Sequence, residues 1–440
     1  MCPTAAAPRQ EELAAIVQPQ LERWDVPGLA LGVLHEGRSE AWGFGVASLE
    51  TRQPVTAQTL FQIGSISKLF AATLAMQLVE AGTVDLDKPV APYLPELRLA
   101  DPAAQHTVSL RHLLTHTAGF YGDRFDDLGM GDDALAKAVA GFDQLQQYTA
   151  PGELWSYCNT GFQLVGRLVE DLRAEVFETA ARERLFTPLG LERSTYFAHE
   201  AITYPAAVGY LKPPGEANRV ARPYPIPRAM NAAGGIISTV GDLLRFAAFH
   251  LGQLGVGGVL AAETVRAMQQ PQVEAALAAH WGLGWSLDRL DGATLIGHGG
   301  STNGFNAQLS LVPERGFALA ILSNSGQGAA AIRPIEEALL DRYLSLHKVR
   351  PPATTLAAAA LERFAGEYVR PLSHYTLTPE DGGLKVEAVA RNPFTGTETA
   401  LPAYHGEPIG EHAFRISNGT LSGATFDFIV RPDGGVRFLR

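Results

Sequence analysis

The chain has 440 residues, of which 46% are hydrophobic and 18% charged, and its formal net charge is −11. This composition is typical of a packed globular protein rather than a disordered one, and the length predicts one large core with a smaller module. Because no Lys/Arg cluster interrupts the acidic balance, we do not expect nucleic acid as a partner.

The N-terminal residues lack the features of a targeting segment. They contain neither a basic start nor the apolar run of a signal peptide, and no apolar run approaches the roughly 18 residues of a membrane span. If the sequence is complete, we expect a cytoplasmic protein without a membrane partner. The two cysteines, Cys2 and Cys158, exclude a disulfide framework, and Cys2 follows no apolar segment that would make it a lipid anchor.

The first predicted element is a hairpin, because apolar, β-rich runs lie on both sides of the turn His35–Arg38. A block with apolar residues at helical spacing follows, over residues 109–119, 159–186 and 239–254. A second hairpin is predicted around Pro313–Gly316. Early and late strands around a helical block predict one antiparallel sheet covered by helices, an α+β fold.

Proline-rich residues 204–228 have neither a helical nor a strand period, which predicts a long ordered surface loop. Pro351 and Pro352 are expected to end the last helix of the large domain. Short alternating segments follow, including a hairpin around Pro432–Gly435, and predict a small β module, either a barrel or a sandwich. We therefore expect a large domain, a linker and a small all-β barrel over residues 1–346, 347–356 and 357–440.

The stretch FQIGSISKLF places Ser65 three residues before Lys68, at the start of an apolar helix. Side chains at i and i+3 lie on one face of a helix, so the lysine can reach the serine hydroxyl. The helix N-terminus supplies N–H groups for an oxyanion, and burial would lower the pKa of Lys68 so that it acts as a base. The pattern favours a nucleophile with its activator, and a helix N-cap is the alternative role of Ser65.

Ser-x-x-Lys is a weak signal alone, because a chain of this composition contains it about once or twice by chance. It occurs again at Ser345 and Lys348. That second copy lies in the polar approach to the proline linker and has no apolar helix behind it. The first copy is therefore the candidate.

Two further patterns accompany the first. Tyr157 and Asn159 form the only Tyr-x-Asn of the chain, directly before a helix, and a core tyrosine with a capping asparagine is the alternative. His298, Gly299 and Gly300 begin a predicted strand, where missing side chains would let a ligand approach the backbone.

In this order, Ser-x-x-Lys, Tyr-x-Asn and His-x-Gly resemble the motifs of the serine β-lactamase and penicillin-recognising hydrolase superfamily, over roughly residues 10–345. The chain looks most similar to the class C β-lactamase branch, which also holds esterases and D-aminopeptidases. This resemblance implies an antiparallel sheet flanked by helices, with an all-helical subdomain. It also implies acyl transfer to water through a covalent intermediate, with no cofactor.

The resemblance implies Ser65 as the acylated nucleophile and Lys68 as its proton acceptor. Tyr157 would be the partner base that later protonates the leaving group and helps to activate the deacylating water. Asn159 would hydrogen-bond the amide or carbonyl of the substrate. The oxyanion hole would be the backbone N–H groups of Ser65 and Ser301. The remaining substrate-binding residues would be those of the third motif, His298, Gly299 and Gly300.

Two departures from the family pattern bear on function. The third motif of true β-lactamases usually begins with lysine, whereas here it begins with His298, and an imidazole with its usual pKa of about 6.5 is a poorer anchor for a carboxylate. This replacement argues against efficient β-lactam turnover. Cys158 lies inside the Tyr-x-Asn motif, where alternation predicts a buried, inert thiol turned away from its neighbours, and a catalytic thiol is the alternative.

His112 and His116 lie at i and i+4 and resemble a metal pair. Because no zinc-protease glutamate and no third ligand accompany them, packing and capping roles are favoured, and we expect no metal. The C-terminal module resembles small lipocalin-like barrels that follow this catalytic domain in some peptidases and esterases, mainly through FAGEY, Phe364–Tyr368.

The leading hypothesis is a serine hydrolase acting on esters or on small amides and peptides, including those of D-configured residues. One alternative is a β-lactamase or D,D-carboxypeptidase. An alternative of another class is a penicillin-binding or sensor protein that acylates without turnover. The expected partner is a small-molecule substrate, and the oligomeric state is left open.

Overall fold

The computed structural model describes residues 10–213, 215–255, 258–276, 278–391 and 396–440, so Cys2 lies outside the described residues. The helices are α1 (Gln10–Trp24), α2 (Ser67–Glu80), α3 (Pro102–Gln105), α4 (Leu110–Leu114), α5 (Ala134–Ala140), α6 (Asn159–Arg173), α7 (Phe177–Ala181), α8 (Thr187–Leu189), α9 (Ala198–Ala201), α10 (Asn231–Gly234), α11 (Val240–His250), α12 (Ala262–Met268), α13 (Gly328–Leu344) and α14 (Ala358–Glu362).

The strands of the large domain are β1 (Gly28–His35), β2 (Arg38–Gly45), β3 (Phe61–Gln62), β4 (Tyr210–Leu211), β5 (Arg219–Val220), β6 (Ile237–Ser238), β7 (Val273–Glu274), β8 (His280–Trp281), β9 (Ser286–Leu290), β10 (Ala293–Thr302), β11 (Phe305–Val312) and β12 (Phe317–Ser323). The C-terminal strands are β13 (Gly366–Arg370), β14 (Ser373–Glu380), β15 (Gly383–Arg391), β16 (Glu398–Ala400), β17 (Tyr404–Pro408), β18 (Ala413–Ile416), β19 (Thr425–Val430) and β20 (Val436–Leu439).

The main sheet is antiparallel and has the strand order β2-β1-β12-β11-β10-β9-β8-β7. The sheet joins the two ends of the large domain, because β1 pairs with β12 from Leu29 opposite Ser323 to Leu34 opposite Ala318. The predicted α+β sheet built from early and late strands is therefore confirmed.

Alternation along β1 supplies both faces of this sheet. Leu29, Leu31 and Val33 are buried in one cluster with residues of α1 and α13. Ala30 and Leu34 belong to the larger cluster on the other face, which contains α2, α6 and α11. Burying one such leucine stabilises a fold by about 1.5–3 kcal/mol, so the two covered faces hold the sheet in place as a rigid platform.

Helix α2 lies at the centre of the larger cluster. From Ser67 to Met76 every residue of the helix is buried, which explains why it has no polar face. A 3-10 turn, Gly64–Ile66, precedes it, so the α-helix begins two residues later than a start at Ser65. Gly64 has a φ of +52°, a conformation that side chains other than glycine rarely adopt.

The structure corrects two predictions, one about the loop 204–228 and one about the end of helix α13. Residues 204–228 do not form one irregular loop, because β4 and β5 pair within them as a short ladder. Helix α13 ends at Leu344, before the prolines, since Ser345 takes a left-handed conformation with a φ of +52° and its N–H caps the helix. The chain direction therefore changes six residues ahead of Pro351, and the prolines do not end the helix.

The C-terminal strands form a nearly closed antiparallel barrel, as predicted, with the order β13-β14-β15-β17-β18-β19-β20 and β16 beside β15. Its core contains Phe364, Phe414 and Phe428. The predicted last hairpin is the pair β19 and β20. The division into domains and the lipocalin-like character of the barrel stay predictions. Among the described residues, no helix is both long and apolar enough to cross a membrane.

Candidate active site

The 3-10 turn before α2 presents Ser65 at the surface of the core. Its backbone is held by Ser67, whose hydroxyl donates to the carbonyl of Gly64 (2.7 Å) and accepts from the N–H of Ile236 (3.0 Å). Ser65 is half-buried although its neighbours on both sides are buried. The turn thus exposes one hydroxyl while the surrounding backbone is fixed by hydrogen bonds.

Lys68 is fully buried and its amino group has three partners. Nζ lies 3.0 Å from Ser65 Oγ, 2.7 Å from Asn159 Oδ1 and 2.6 Å from the carbonyl oxygen of Ala233. Two of these partners are carbonyl oxygens, which only accept. An uncharged amine would give its two N–H groups to them, so its lone pair would face the Ser65 hydroxyl.

Burial lowers the pKa of Lys68 from 10.5 to about 7, because desolvation disfavours the ammonium form, while Asp123 and Cys158 act in the opposite direction. None of the three hydrogen-bond partners of this amino group is a carboxylate. The lysine is therefore able to exchange a proton near neutral pH. This arrangement suits a general base beside a serine hydroxyl.

Tyr157 lies against the same amino group, with Lys68 Nζ 5.0 Å from the centre of its ring. Burial raises the pKa of Tyr157 well above its usual value, although the Ser65 side chain lowers it in part. His116 packs on the phenol, with ring centroids 4.3 Å apart. The tyrosine is therefore a protonated phenol held in a closely packed aromatic setting.

Asn159 is the first residue of α6, and both ends of its amide are used. Oδ1 accepts from Lys68, and Nδ2 donates to Asp123 Oδ1 (2.8 Å). Because the carboxylate accepts and the amine donates, only the orientation with Nδ2 toward Asp123 and Oδ1 toward Lys68 satisfies both bonds. Ser65, Lys68, Tyr157 and Asn159, predicted from two separate motifs, are thus brought together.

Strand β10 packs edge-on against the 3-10 turn Gly64–Ile66 that carries Ser65. A Cβ atom at Gly300 would lie only 1.9 Å from the carbonyl oxygen of Ile63, and a Cβ at Gly64 would lie 2.6 Å from the N–H nitrogen of Ser301. These contacts place the backbone of Ser301 beside the turn that carries Ser65. The predicted pair of oxyanion donors, the N–H groups of Ser65 and Ser301, is therefore made of neighbouring backbone segments.

The two glycines of the third motif face different ways. Gly300 is needed for contact between backbones, which is a different reason from the predicted approach of a ligand. The missing side chain of Gly299 would face Gln308 on β11, at 3.3 Å, and Gly299 is exposed. No atom of Ser65 lies within 4 Å of the Cβ position at Gly299.

His298 is buried beside Tyr157, with ring centroids 6.1 Å apart. Its Nδ1 lies 2.5 Å from the carbonyl oxygen of Gly299, a contact that requires Nδ1 to carry the proton. Burial lowers its pKa to about 3, and the charge of Lys68 acts in the same direction. The imidazole is neutral at pH 7, so the third motif offers no cation here.

The remaining predicted residues have structural roles. Cys158 is buried, its Sγ accepts from the N–H of Gly161 (3.2 Å), and burial raises its pKa to about 12, which confirms the prediction of a buried thiol. His112 caps α4 through its contacts with Ser109, and His116 Nδ1 accepts from the N–H of Cys158 (3.0 Å). Within the described ranges, no group of three or more His, Cys, Asp or Glu is arranged to hold a metal.

Asp123 is the site residue that sequence reasoning missed. It lies among the acidic residues of an irregular segment, where a solvated loop is the ordinary interpretation. Nothing local in the sequence marks it, because it lies 36 positions before Asn159, and only the folded chain shows the contact between the two side chains.

The sequence model of the Beta-lactamase family matches residues 13–342. The chain belongs to the beta-lactamase family. As a member of that family it is a serine hydrolase. Penicillin-binding protein 4 of Amycolatopsis lactamdurans is 38% identical over 361 residues, which cover 78% of this chain and 93% of that protein.

Two solved structures extend the likeness in different ways. A structure of SurE with D-Leu has a TM-score of 0.73 at 26% identity and covers 98% of this chain and 97% of its own. A class C β-lactamase of Rhodobacter sphaeroides has a TM-score of 0.63 at 25% identity and covers 75% of this chain and 100% of its own. The coverage of SurE therefore extends over the C-terminal barrel as well.

Proposed function

We propose that Ser65 is acylated and deacylated in turn, so that the protein hydrolyses esters and small amides or peptides, including those of D-configured residues. The observation that carries this proposal is the set of three bonds at Lys68. When Lys68 is neutral, its two N–H groups donate to Asn159 Oδ1 and to the carbonyl oxygen of Ala233. Its lone pair is then available to accept the proton of the Ser65 hydroxyl.

In the first step, Ser65 Oγ forms a bond to the substrate carbonyl carbon while its proton passes to Lys68 Nζ. The negative charge develops on the carbonyl oxygen beside the N–H groups of Ser65 and Ser301. The leaving group then departs with a proton delivered through the Tyr157 hydroxyl, which the raised pKa keeps protonated. Water then attacks the carbonyl carbon of the acyl-enzyme, the bond between that carbon and Ser65 Oγ breaks, and a proton from the water passes through Tyr157 and Lys68 to Oγ as the acid is released.

The third motif supports esters and amides over β-lactams as substrates. A β-lactam antibiotic presents a carboxylate, and a buried neutral imidazole at His298 supplies no counter-charge for it. The similar SurE structure was determined with D-Leu, which supports the inclusion of D-configured substrates for this chain.

A second candidate is a penicillin-binding protein that acylates with little turnover. It is favoured by the 38% identity to Penicillin-binding protein 4. The position of Tyr157 beside Ser65 and Lys68 supports turnover instead, because it supplies a proton path for deacylation.

The test is steady-state hydrolysis of p-nitrophenyl butyrate by the wild type and by Ser65→Ala, with a chromogenic cephalosporin assayed in parallel. We expect ester turnover that is lost in Ser65→Ala, with little cephalosporin turnover. Undiminished ester hydrolysis by the variant would refute the assignment of the nucleophile. A stoichiometric burst of cephalosporin opening without turnover would instead favour the penicillin-binding candidate.

A further inference from the structure

Asp123 is held against the Tyr-x-Asn motif by bonds on both of its sides. The N–H of Thr160 donates to the carbonyl of Gly122 (2.8 Å), and the N–H of Arg124 donates to Thr160 Oγ1 (3.2 Å). A Cβ at Gly122 would lie 2.8 Å from the carbonyl oxygen of Tyr157. The segment is therefore docked tightly, and the position of the carboxylate is set by the backbone rather than by a flexible loop.

The Asp123 carboxylate lacks a salt-bridge partner in the part of the chain that the structure describes, where no Lys, Arg or His nitrogen lies within 4.0 Å of it. Its neighbour Arg124 turns away and donates to Asp126 and to the carbonyl of Gly141. Lys68 directs its amino group at other atoms. One oxygen, Oδ1, accepts from the Asn159 amide, and the second carboxylate oxygen has no hydrogen-bond partner within the described residues.

The charges around the nucleophile favour a cation. Asp123 is half-buried, so solvent and ligands reach it, whereas His298 is neutral and Lys68 loses its charge near pH 7. A carboxylate in a partly desolvated cleft attracts a positive group more strongly than one in open water, because the effective dielectric constant is lower. Asp123 therefore places a negative charge one hydrogen bond away from Asn159, while the third motif supplies no permanent cation.

We propose that Asp123 determines specificity by binding a free ammonium group on the acyl side of the substrate. This inference rests on the proposed function, and it narrows the substrate class to esters, amides and peptides whose acyl residue has an unblocked α-amino group. The acyl side is favoured because Asp123 bonds directly to Asn159, the residue that the family resemblance implies as the partner of the amide or carbonyl of the substrate. An α-ammonium group would donate to the open oxygen of the carboxylate, and N-acetylation would remove both its charge and two of its N–H donors.

The experiment measures inhibition of p-nitrophenyl butyrate hydrolysis at pH 7 by D-leucinamide and by N-acetyl-D-leucinamide. At that pH an α-amino group is mostly protonated. The readout is the ratio of the two inhibition constants, which is defined whether or not the amides are themselves hydrolysed. The variants are Asp123→Asn, which keeps an oxygen to accept from Asn159, and Asp127→Asn, which removes the same charge from an exposed position of the same segment.

We expect the wild type and Asp127→Asn to bind the free amine about 10- to 100-fold more tightly than its N-acetyl form, and Asp123→Asn to lose that preference. A wild type without preference, or an Asp123→Asn variant that weakens both inhibitors equally, would overturn the inference, because Asp123 would then only hold Asn159 in place. If ester hydrolysis itself does not depend on Ser65, the proposed function fails, and that result is read independently of the inhibitors.

Discussion

The two Ser-x-x-Lys copies have the same spacing and opposite surroundings. Lys68 is buried among neutral acceptors, and burial lowers its pKa to about 7. Lys348 is only partly buried, with a side chain 24% exposed, and its Nζ lies 3.2 Å from Glu336 and 3.9 Å from Asp288. Burial acts to lower the pKa of Lys348 as well, but the two carboxylates outweigh it and raise the pKa.

The partners of the two serines differ just as much. Ser345 is exposed and caps the end of α13 in a left-handed conformation, whereas Ser65 lies on the 3-10 turn ahead of α2, within hydrogen-bond distance of its lysine. The Ser-x-x-Lys motif can therefore supply a base only where no carboxylate contacts the lysine amine. Where carboxylates contact it, as at Lys348, the lysine forms a structural ion pair.

The largest expected effect comes from substituting each lysine by the same residue. Lys68→Met should lower kcat/KM for p-nitrophenyl butyrate by about 10³- to 10⁴-fold, because the proposed general base is lost while the stem of the side chain is retained. Lys348→Met should change it by less than about threefold. Equal losses in both variants would mean that Lys68 contributes through packing alone.

A smaller loss is expected when the phenol beside Lys68 is removed. Tyr157→Phe should lower kcat/KM by about 10²-fold, since it removes a proton donor and leaves the ring packed on His116. Combined with Lys68→Met, the loss should be smaller than the product of the two single losses, because the residues act as a unit. Full multiplicative losses in the double variant would contradict a shared proton path.

The third expectation concerns pH. In the proposed mechanism the active form of Lys68 is the neutral amine, and the pKa of this lysine is lowered to about 7. Activity should therefore be on a plateau above that pH and fall about tenfold per pH unit below it. Rates of ester hydrolysis measured from pH 5 to 9 would show this limb, and Lys348→Met should leave it unmoved. A limb displaced toward pH 10 would indicate that the lysine is solvated.

The smallest expected effect is a difference in the stability of the two lysine variants, rather than in their rates. Lys348→Met should lower the free energy of unfolding by about 1–3 kcal/mol, because the side chain of Glu336, 4% exposed, loses its cation. Lys68→Met should cost less, since no carboxylate loses a direct counter-charge. Urea denaturation of both variants checks this order, and the reverse order would refute it.

Local patterns allowed part of the site to be predicted. Ser65 with Lys68, and Tyr157 with Asn159, are spaced by one turn or by two residues, so short-range geometry brings each pair together before any tertiary contact is considered. A single sheet built from early and late strands was also predictable, because hairpins at both ends of a helical block have few ways to bury their apolar faces, but the pairing of β1 with β12 was not specified.

Contacts between distant segments were not predictable from residue types alone. Asp123 meets Asn159 across 36 positions, and nothing in an acidic loop distinguishes it from Asp126 or Asp127. The end of α13 was misplaced because proline is a strong breaker, whereas the helix ends earlier at a serine in a left-handed conformation. Such a conformation depends on how the following residues pack.

The contact of Gly300 with Ile63 has a consequence for any attempt to reshape this cleft by directed evolution. Because even a methyl group at position 300 would overlap the backbone oxygen of Ile63, just before the turn that carries Ser65, a mutant library should keep glycine there. Position 299 is open to solvent, so varied side chains fit at that position without separating the strand from the turn. Of these two adjacent positions, 300 therefore requires glycine, whereas 299 accepts other residues.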